Sequence, residues 1–287
     1  MSRNLSVNDL NLSGDSPKYV TTSVSDGVAT ITMNRPDKLN GWTMEMMDAF
    51  KEAFIKADSH QDVKAIIFTG NGSYYSAGVN LGGTIKVMHP KALKKMIVDH
   101  NQKLFEAFLL CKKPILVAVN GPAIGASVTS ATLCNGVIAS ENATFSTPFA
   151  ALGIVPEGCS SIHFARLMGE QNAQRMLGKE GWKPTAKEAH DAGLIQGVFP
   201  EDKLKEEALK IAKEWVANGE ERKFLAGSEL DELLRVNAEE SVALADAFLG
   251  AEFMKEQGRF LWSKKKHAPA AVFYSLWALR PLWSRLM

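Results

Sequence analysis

The sequence predicts an α/β protein with a further helical region toward its C-terminal end. Two observations carry this prediction. In the first half, short apolar segments that end at glycine or asparagine alternate with amphipathic stretches, and residues 115–119 (Ile-Leu-Val-Ala-Val) are apolar throughout. Uninterrupted apolar strands are typical of parallel sheets that are covered on both faces. After residue 157, segments with helical periodicity dominate.

Composition and charge exclude several classes of protein. The chain has 287 residues and a formal net charge of +1, so no global field favours nucleic acid or an anionic membrane. No uninterrupted apolar stretch reaches the roughly 18–20 residues that span a bilayer. The three cysteines lie among apolar residues without a zinc-binding spacing, which indicates buried thiols in a reducing compartment. We therefore expect an intracellular protein that binds neither nucleic acid nor a membrane.

The first predicted elements are a hairpin, a helix and a strand. Residues 19–33 alternate between polar and apolar side chains around Asp26-Gly27, which predicts two antiparallel strands. The polar residues 1–18 before them predict a disordered tail. Thr43 is the predicted N-cap of a helix with an apolar face, and residues 63–69 predict a short buried strand.

The following elements are predicted in the same way, from apolar periodicity and from breaks at proline and glycine. Helices are predicted at residues 90–111, 123–134, 160–168, 172–177, 186–192, 203–217 and 238–262. Strands are predicted at residues 115–119, 136–140, 143–146 and 194–199. The helix at 123–134 is rich in small residues, so we expect it to pack closely on the sheet.

The domain organisation follows from these elements. We expect one strand–helix core over residues 19–200, a helical oligomerisation region over 201–263, and an extension over 264–287. The extension begins with Lys264-Lys265-Lys266-His267 and is then rich in aromatic residues. Its rings must be buried against their own subunit, a neighbouring subunit or a membrane surface, and packing against protein is the simpler interpretation.

Two glycine-containing turns are candidate binding elements. Ser76-Ala77-Gly78-Val79-Asn80 combines small side chains with a glycine, so a ligand can approach its backbone closely. The second turn, Asn120-Gly121-Pro122-Ala123-Ile124-Gly125-Ala126, ends a strand and opens a helix, whose N-terminus has unpaired N–H groups and can stabilise an oxyanion. The second turn matches neither a phosphate-binding nor a dinucleotide-binding loop.

Glu157 is the candidate acid–base residue. It is a lone carboxylate in the apolar run Leu152-Gly153-Ile154-Val155-Pro156-Glu157-Gly158. Apolar surroundings favour the neutral carboxylic acid and should raise its pKa. Two backbone N–H donors and one such carboxylate are enough to move a proton next to a bound carbonyl group.

The order of these motifs resembles the crotonase (enoyl-CoA hydratase/isomerase) superfamily from about residue 19 to about residue 263. The segments 120–125 (Asn-Gly-Pro-Ala-Ile-Gly), 156–161 (Pro-Glu-Gly-Cys-Ser-Ser) and 236–240 (Val-Asn-Ala-Glu-Glu) are most similar to the peroxisomal-type Δ3,Δ2-enoyl-CoA isomerases. The resemblance implies the crotonase (ClpP-like) fold, with a ββα spiral core and a C-terminal helical region. It also implies a homotrimer or hexamer.

The resemblance further implies a role for each candidate residue. The thioester oxygen of the substrate would accept hydrogen bonds from the backbone N–H groups of Val79 and Ala126, and Glu157 would carry a proton from C2 to C4. Lys38 would meet the phosphates of coenzyme A, or else is an ordinary solvated lysine. The remaining substrate-binding positions are Ser76, Ala77, Gly78, Asn80 and Gly125.

The same resemblance favours isomerisation over hydration and leaves other reactions as alternatives. Hydratases of this superfamily use two glutamates, and the matching positions here are Thr129 and Phe149, so hydration is disfavoured. Dienoyl-CoA isomerisation, thioester hydrolysis and non-catalytic acyl-CoA binding remain alternatives. No metal or redox cofactor is implied, since coenzyme A arrives as part of the substrate. The implied compartment is the peroxisomal matrix in a eukaryote and the cytoplasm in a bacterium.

Overall fold

A six-stranded sheet forms the centre of the protein. The computed structural model describes residues 18–80 and 88–287, so all but Lys18 of the predicted N-terminal tail lies outside the described residues. The sheet has the order β1-β2-β3-β4-β6-β8, with β1 and β2 antiparallel and every other pair parallel. Its strands are β1 (Val20–Ser25), β2 (Val28–Met33), β3 (Ala65–Gly70), β4 (Ile115–Val119), β6 (Gly136–Ser140) and β8 (Gly197–Phe199).

Two further strands, ten α-helices and four 3-10 helices of three residues each form the remaining regular structure of the described residues. The short strands β5 (Ala123–Ile124) and β7 (Phe145–Ser146) pair in parallel away from the main sheet. The helices are α1 (Met44–Ser59), α2 (Pro90–Leu109), α3 (Ala126–Thr132), α4 (Ser160–Leu177), α5 (Ala186–Asp191), α6 (Leu204–Asn218), α7 (Leu230–Phe248), α8 (Ala251–Ser263), α9 (His267–Ala278) and α10 (Arg280–Trp283).

The hairpin and the first helix form as their sequences predict. Asp26 and Gly27 both have positive φ angles, 50° and 80°, and join β1 to β2 in the two-residue turn that a twisted hairpin prefers. The Thr43 side chain accepts a hydrogen bond from the backbone N–H of Met46 at 3.3 Å, which caps α1 and satisfies one of its unpaired donors.

Both faces of the main sheet are covered, which explains its apolar strands. On one face α6 packs over β2, β3, β4 and β6, burying Leu204, Ala208 and Ala212. The other face supports the larger core, which includes a cluster of aromatic rings from α1, α2 and β3. The closely packed rings of this cluster are Trp42, Phe50, Phe54, Phe68 and Phe108.

The structure corrects two predicted helices. Residues 238–262 form parts of two helices, since α7 ends at Phe248 and α8 begins at Ala251. Gly250, in extended conformation with φ −77° and ψ 155°, breaks a pattern whose apolar spacing continues past it. The predicted helix 123–134 begins only at Ala126, because Ala123 donates its N–H to Thr144 across the β5–β7 ladder.

The C-terminal extension folds back on its own subunit. Phe253 and Leu261 of α8 pack with Ala270 and Phe273 of α9, and the Trp283 ring N–H donates to the Leu276 carbonyl at 2.8 Å. Part of the aromatic surface is therefore buried within the chain. Over the described ranges, none of the helices combines the length and the apolar character that crossing a bilayer requires.

Candidate active site

The two glycine turns lie edge to edge. Ser76 donates its backbone N–H to Pro122 at 3.2 Å and accepts the N–H of Ile124 at 3.1 Å. Gly78 has φ 78°, and a Cβ atom there would lie 2.5 Å from the Ile124 carbonyl oxygen. Only glycine fits at this contact. The absence of a side chain at Gly78 therefore lets the backbones of the two turns pack against each other.

Each turn presents an N–H group without an acceptor in the described structure. Val79 lies in a parallel bridge with Trp42, which pairs with Gly78 and Asn80. The Val79 N–H therefore points away from that bridge, and within residues 18–80 and 88–287 it meets no carbonyl. Ala126 is the first residue of α3, where an N–H has no acceptor inside the helix.

The Glu157 loop packs against the helix that Ala126 begins. Gly158 has φ 63°, and a Cβ atom there would overlap the Phe105 ring and lie 2.7 Å from Thr129 Oγ1. The backbone next to Glu157 thus lies against the first turn of α3. Loop and helix N-terminus form one site, although 31 residues separate Glu157 from Ala126 in the sequence.

The Glu157 side chain is buried and is only 7% exposed. None of the described residues donates a hydrogen bond to its carboxylate oxygens. Burial raises the pKa of Glu157 to about 8, with a further contribution from the nearby carboxylate of Glu240. The apolar run correctly predicted the direction of this change, because a carboxylate without water or donors favours its neutral form.

Glu240 is a member of this site that the sequence analysis missed. It lies on α7 and accepts hydrogen bonds from the backbone N–H groups of Cys159 at 2.6 Å and Ser161 at 2.9 Å. The only sequence signal was the resemblance of segment 236–240 to the isomerase branch. Its partners are backbone groups, which leave no trace in residue identities.

The other predicted binding residues take different positions. The Ser76 hydroxyl is buried, donates to the Asn40 carbonyl at 2.8 Å and accepts the Gly78 N–H at 3.0 Å, so it shapes the turn. Ala77 donates its N–H to Leu39 at 2.9 Å, which brings the segment of Lys38 against the first turn. The Lys38 side chain itself is exposed and lies 3.8 Å from Asp37.

The remaining predicted positions belong to the backbone of the site. Gly125, with φ 62°, donates its N–H to Ser146 at 2.7 Å and precedes α3, while Asn80 donates its N–H to Trp42 at 3.0 Å. The two positions that match the hydratase glutamates, Thr129 and Phe149, are both buried. The Thr129 hydroxyl donates to the Ala126 carbonyl at 3.3 Å.

The chain matches the model of the enoyl-CoA hydratase/isomerase family over residues 23–264. This chain belongs to that family. Enoyl-CoA delta isomerase 3, peroxisomal, of Mus musculus is 34% identical over 267 residues, which are 87% of this chain and 80% of the relative. Human enoyl-CoA delta isomerase 2 is 37% identical over 265 residues, 86% of this chain and 64% of the relative.

The solved structures of the family agree with the fold. The crystal structure of an enoyl-CoA hydratase/isomerase from Pseudoalteromonas atlantica superposes with a TM-score of 0.74 at 30% identity, covering 86% of this chain and 98% of that one. The crotonase fold predicted from the sequence is therefore confirmed. The family match ends at residue 264, so nearly all of the C-terminal extension lies outside it.

Proposed function

We propose that this protein is a Δ3,Δ2-enoyl-CoA isomerase of fatty-acid β-oxidation, which moves the double bond of a 3-enoyl-CoA to give the trans-2-enoyl-CoA. The observation that carries the proposal is the buried Glu157 carboxyl, which accepts no hydrogen bond from the described residues and lies beside the helix N-terminus at Ala126. The names of the two relatives, both enoyl-CoA delta isomerases, support the same reaction.

The proposed reaction is a proton shift over three carbons. The substrate thioester oxygen accepts hydrogen bonds from the N–H groups of Val79 and Ala126. The ionised form of Glu157, which is the minor form at neutral pH, takes a proton from C2, and the electron pair of the broken C–H bond spreads over C2 to C4 and the thioester as a dienolate. The protonated Glu157 then gives the proton to C4, which leaves a double bond between C2 and C3.

Two effects lower the barrier of this step. Each N–H donor to the developing oxyanion contributes about 3–4 kcal/mol to stabilisation of the transition state. General acid–base catalysis by Glu157 contributes a factor of about 10²–10⁴. A pKa of about 8 makes the Glu157 carboxylate a stronger base than an ordinary glutamate, while its acid form stays available to reprotonate the dienolate.

The remaining residues hold the substrate. The proposed binding backbone runs through Ala77, Gly78 and Gly125, with Ser76 and Asn80 shaping the first turn. Lys38 is proposed to meet the coenzyme A phosphates, since its exposed side chain comes directly before Leu39, whose carbonyl accepts the Ala77 N–H of that turn. The reaction needs no metal or redox cofactor, because both proton transfers use the same carboxyl group.

The alternative reactions of this family require other groups. Hydration uses a second carboxylate to activate water, and Thr129 and Phe149 stand at the positions where hydratases have theirs. We therefore expect the protein to isomerise a 3-enoyl-CoA faster than it hydrates a 2-enoyl-CoA.

The test uses purified protein with 3-hexenoyl-CoA and with 2-hexenoyl-CoA. We expect 3-hexenoyl-CoA to gain the absorbance of a conjugated enoyl thioester, and 2-hexenoyl-CoA to add water slowly or not at all. Glu157→Gln should lower kcat at least about 100-fold and still bind the substrate. Glu170→Gln, an exposed change on α4, is the matched control. Normal turnover by Glu157→Gln, or hydration faster than isomerisation, would refute the assignment.

A homotrimer or hexamer is proposed for the assembly. Support comes from the outward side of the C-terminal helices, where Val272, Leu279 and Leu282 are 51%, 54% and 66% exposed. Exposed apolar side chains, where they form one patch, are typical of a protein contact. Light scattering after gel filtration tests this, and a monomer at micromolar concentration would contradict it.

The proposed compartment is the peroxisomal matrix if the source is a eukaryote and the cytoplasm if it is a bacterium. The name of the mouse relative supports the first of these. Imaging of a fluorescent fusion with a peroxisomal marker in a eukaryotic host tests it, and exclusion of the fusion from the marked organelles would contradict it.

A further inference from the structure

Glu240 is buried, charged and outside the proposed proton path. It reaches from α7 to the chain that follows Glu157 and is only 7% exposed. Its Oε2 atom accepts the Cys159 N–H at 2.6 Å and its Oε1 atom accepts the Ser161 N–H at 2.9 Å. One carboxylate therefore clamps two N–H groups within four residues of the proposed catalytic side chain.

The clamped loop needs such support. Gly158 and Cys159 are both in the left-handed region, each with φ 63°. This conformation is unfavourable for a non-glycine residue such as Cys159, and residues in it persist where their surroundings hold them. The two hydrogen bonds to Glu240 stabilise this conformation, because they fix the backbone on both sides of Ser160.

The charges of Glu157 and Glu240 are unequal in their surroundings. Burial raises the pKa of Glu240 as well, but the two N–H bonds that it accepts at the N-terminus of the 18-residue helix α4 and the helix dipole oppose this effect and favour its ionised form. No described residue offers Glu157 a comparable donor. When one negative charge is shared by two close carboxyl groups, it belongs to the better solvated one.

The other described titratable groups near Glu157 and Glu240 carry no charge that offsets the negative charge of this pair. The Cys159 thiol feels Glu240 directly and remains neutral, since burial raises its pKa far above neutrality. Burial lowers the pKa of His100 on α2, and the nearby charges that also act on it are those of Lys51 and Asp48. Burial also lowers the pKa of His163 on α4, where the nearby charges are those of Arg166 and Glu232, so both rings favour their neutral form.

We propose that Glu240 is the positioning residue of the active site: it anchors the Glu157 loop through Cys159 and Ser161, and its fixed negative charge keeps Glu157 the proton-carrying member of the pair at neutral pH. The inference rests on the proposed function for its kinetic consequences. It accounts for a buried carboxylate that the isomerase reaction itself does not use.

Glu240→Gln tests the charge and the anchor together. The amide oxygen can accept one of the two N–H bonds, while its NH2 group cannot accept the other. We expect the midpoint of the pH dependence of kcat/KM to fall by about 1 unit or more. We also expect kcat to fall about 10- to 100-fold from misplacement of Glu157, with KM within about twofold.

Glu239→Gln is the matched control. It removes the same charge one residue earlier on α7, from an exposed side chain that pairs with Arg235 at 3.0 Å. We expect its midpoint and kcat to equal those of the unaltered protein. A Glu240→Gln profile that superimposes on the control, with equal kcat, would overturn the proposal.

Two measurements do not depend on turnover and so separate this inference from the proposed function. Hydrogen exchange should be slow at the Cys159 and Ser161 amides and should accelerate in Glu240→Gln. Infrared spectra at pH 7 should contain a protonated carboxylic acid band that Glu157→Gln removes. If Glu240→Gln does not fold, the unaltered protein and Glu157→Gln still decide, because fast exchange at both amides or a missing acid band refutes the proposal.

Discussion

Replacing Glu157 by glutamine should stabilise the protein, and increasingly so as the pH rises. The folded protein raises the pKa of Glu157 from 4.5 to about 8, so it binds this proton more tightly than the unfolded chain does. Stability therefore falls as the pH rises from 4.5 through 8, because the folded state must keep the proton or bury a charge. Glutamine does not titrate, so the variant does not lose stability in this way as the pH rises.

The magnitude follows from the pKa difference. Each pKa unit is worth about 1.4 kcal/mol, so the stability advantage of Glu157→Gln should be under about 1 kcal/mol at pH 5. It should reach about 3 kcal/mol at pH 7 and about 4–5 kcal/mol at pH 9, with the full difference present above the folded pKa. A variant that loses activity while gaining stability is the expected pattern for a strained catalytic group.

Urea unfolding followed by tryptophan fluorescence measures this difference at pH 5, 7 and 9. Protein concentration must be the same throughout, because association would shift the midpoint. Glu170→Gln on the surface of α4 should change the free energy of unfolding only slightly, and by the same amount at each pH. If the advantage of Glu157→Gln does not change with pH, Glu157 has an ordinary pKa and the electrostatic argument fails.

Three further substitutions test the packing of the site and the core. Gly158→Ala places a Cβ atom 2.7 Å from Thr129 Oγ1 at φ 63°, so it should cost about 1–3 kcal/mol and lower kcat; equal urea midpoints and kcat would contradict the contact. Arg222→Ala should cost at least about 1–3 kcal/mol, because it leaves buried carbonyls without their donor; Arg235→Ala, on the surface, should stay within about 0.5 kcal/mol. Thr43→Ala should cost about 1 kcal/mol as a lost helix cap, which thermal unfolding would reveal.

Local patterns predicted some strands to the residue, whereas the strands predicted at 143–146 and 194–199 are shorter in the structure, at Phe145–Ser146 and Gly197–Phe199. The strands at residues 115–119 and 136–140 have the predicted bounds, because each is a short apolar run closed by breaking residues. The hairpin turn and the Thr43 cap likewise depend on the conformational preferences of single residues. The Ala238–Trp262 helix was wrong, since apolar spacing continues across Gly250 while the backbone does not.

The sequence by itself determined the fold class, the two turns and the carboxylate in its apolar run, since these follow from side-chain chemistry over a few neighbouring residues. Only the tertiary structure placed Gly158 on Thr129 and brought Glu240 to the backbone of Cys159 and Ser161. Those contacts join segments about 30 and 80 residues apart, and they use backbone groups and close packing. Such groups are the same in every residue, so no pattern of residue types reveals them.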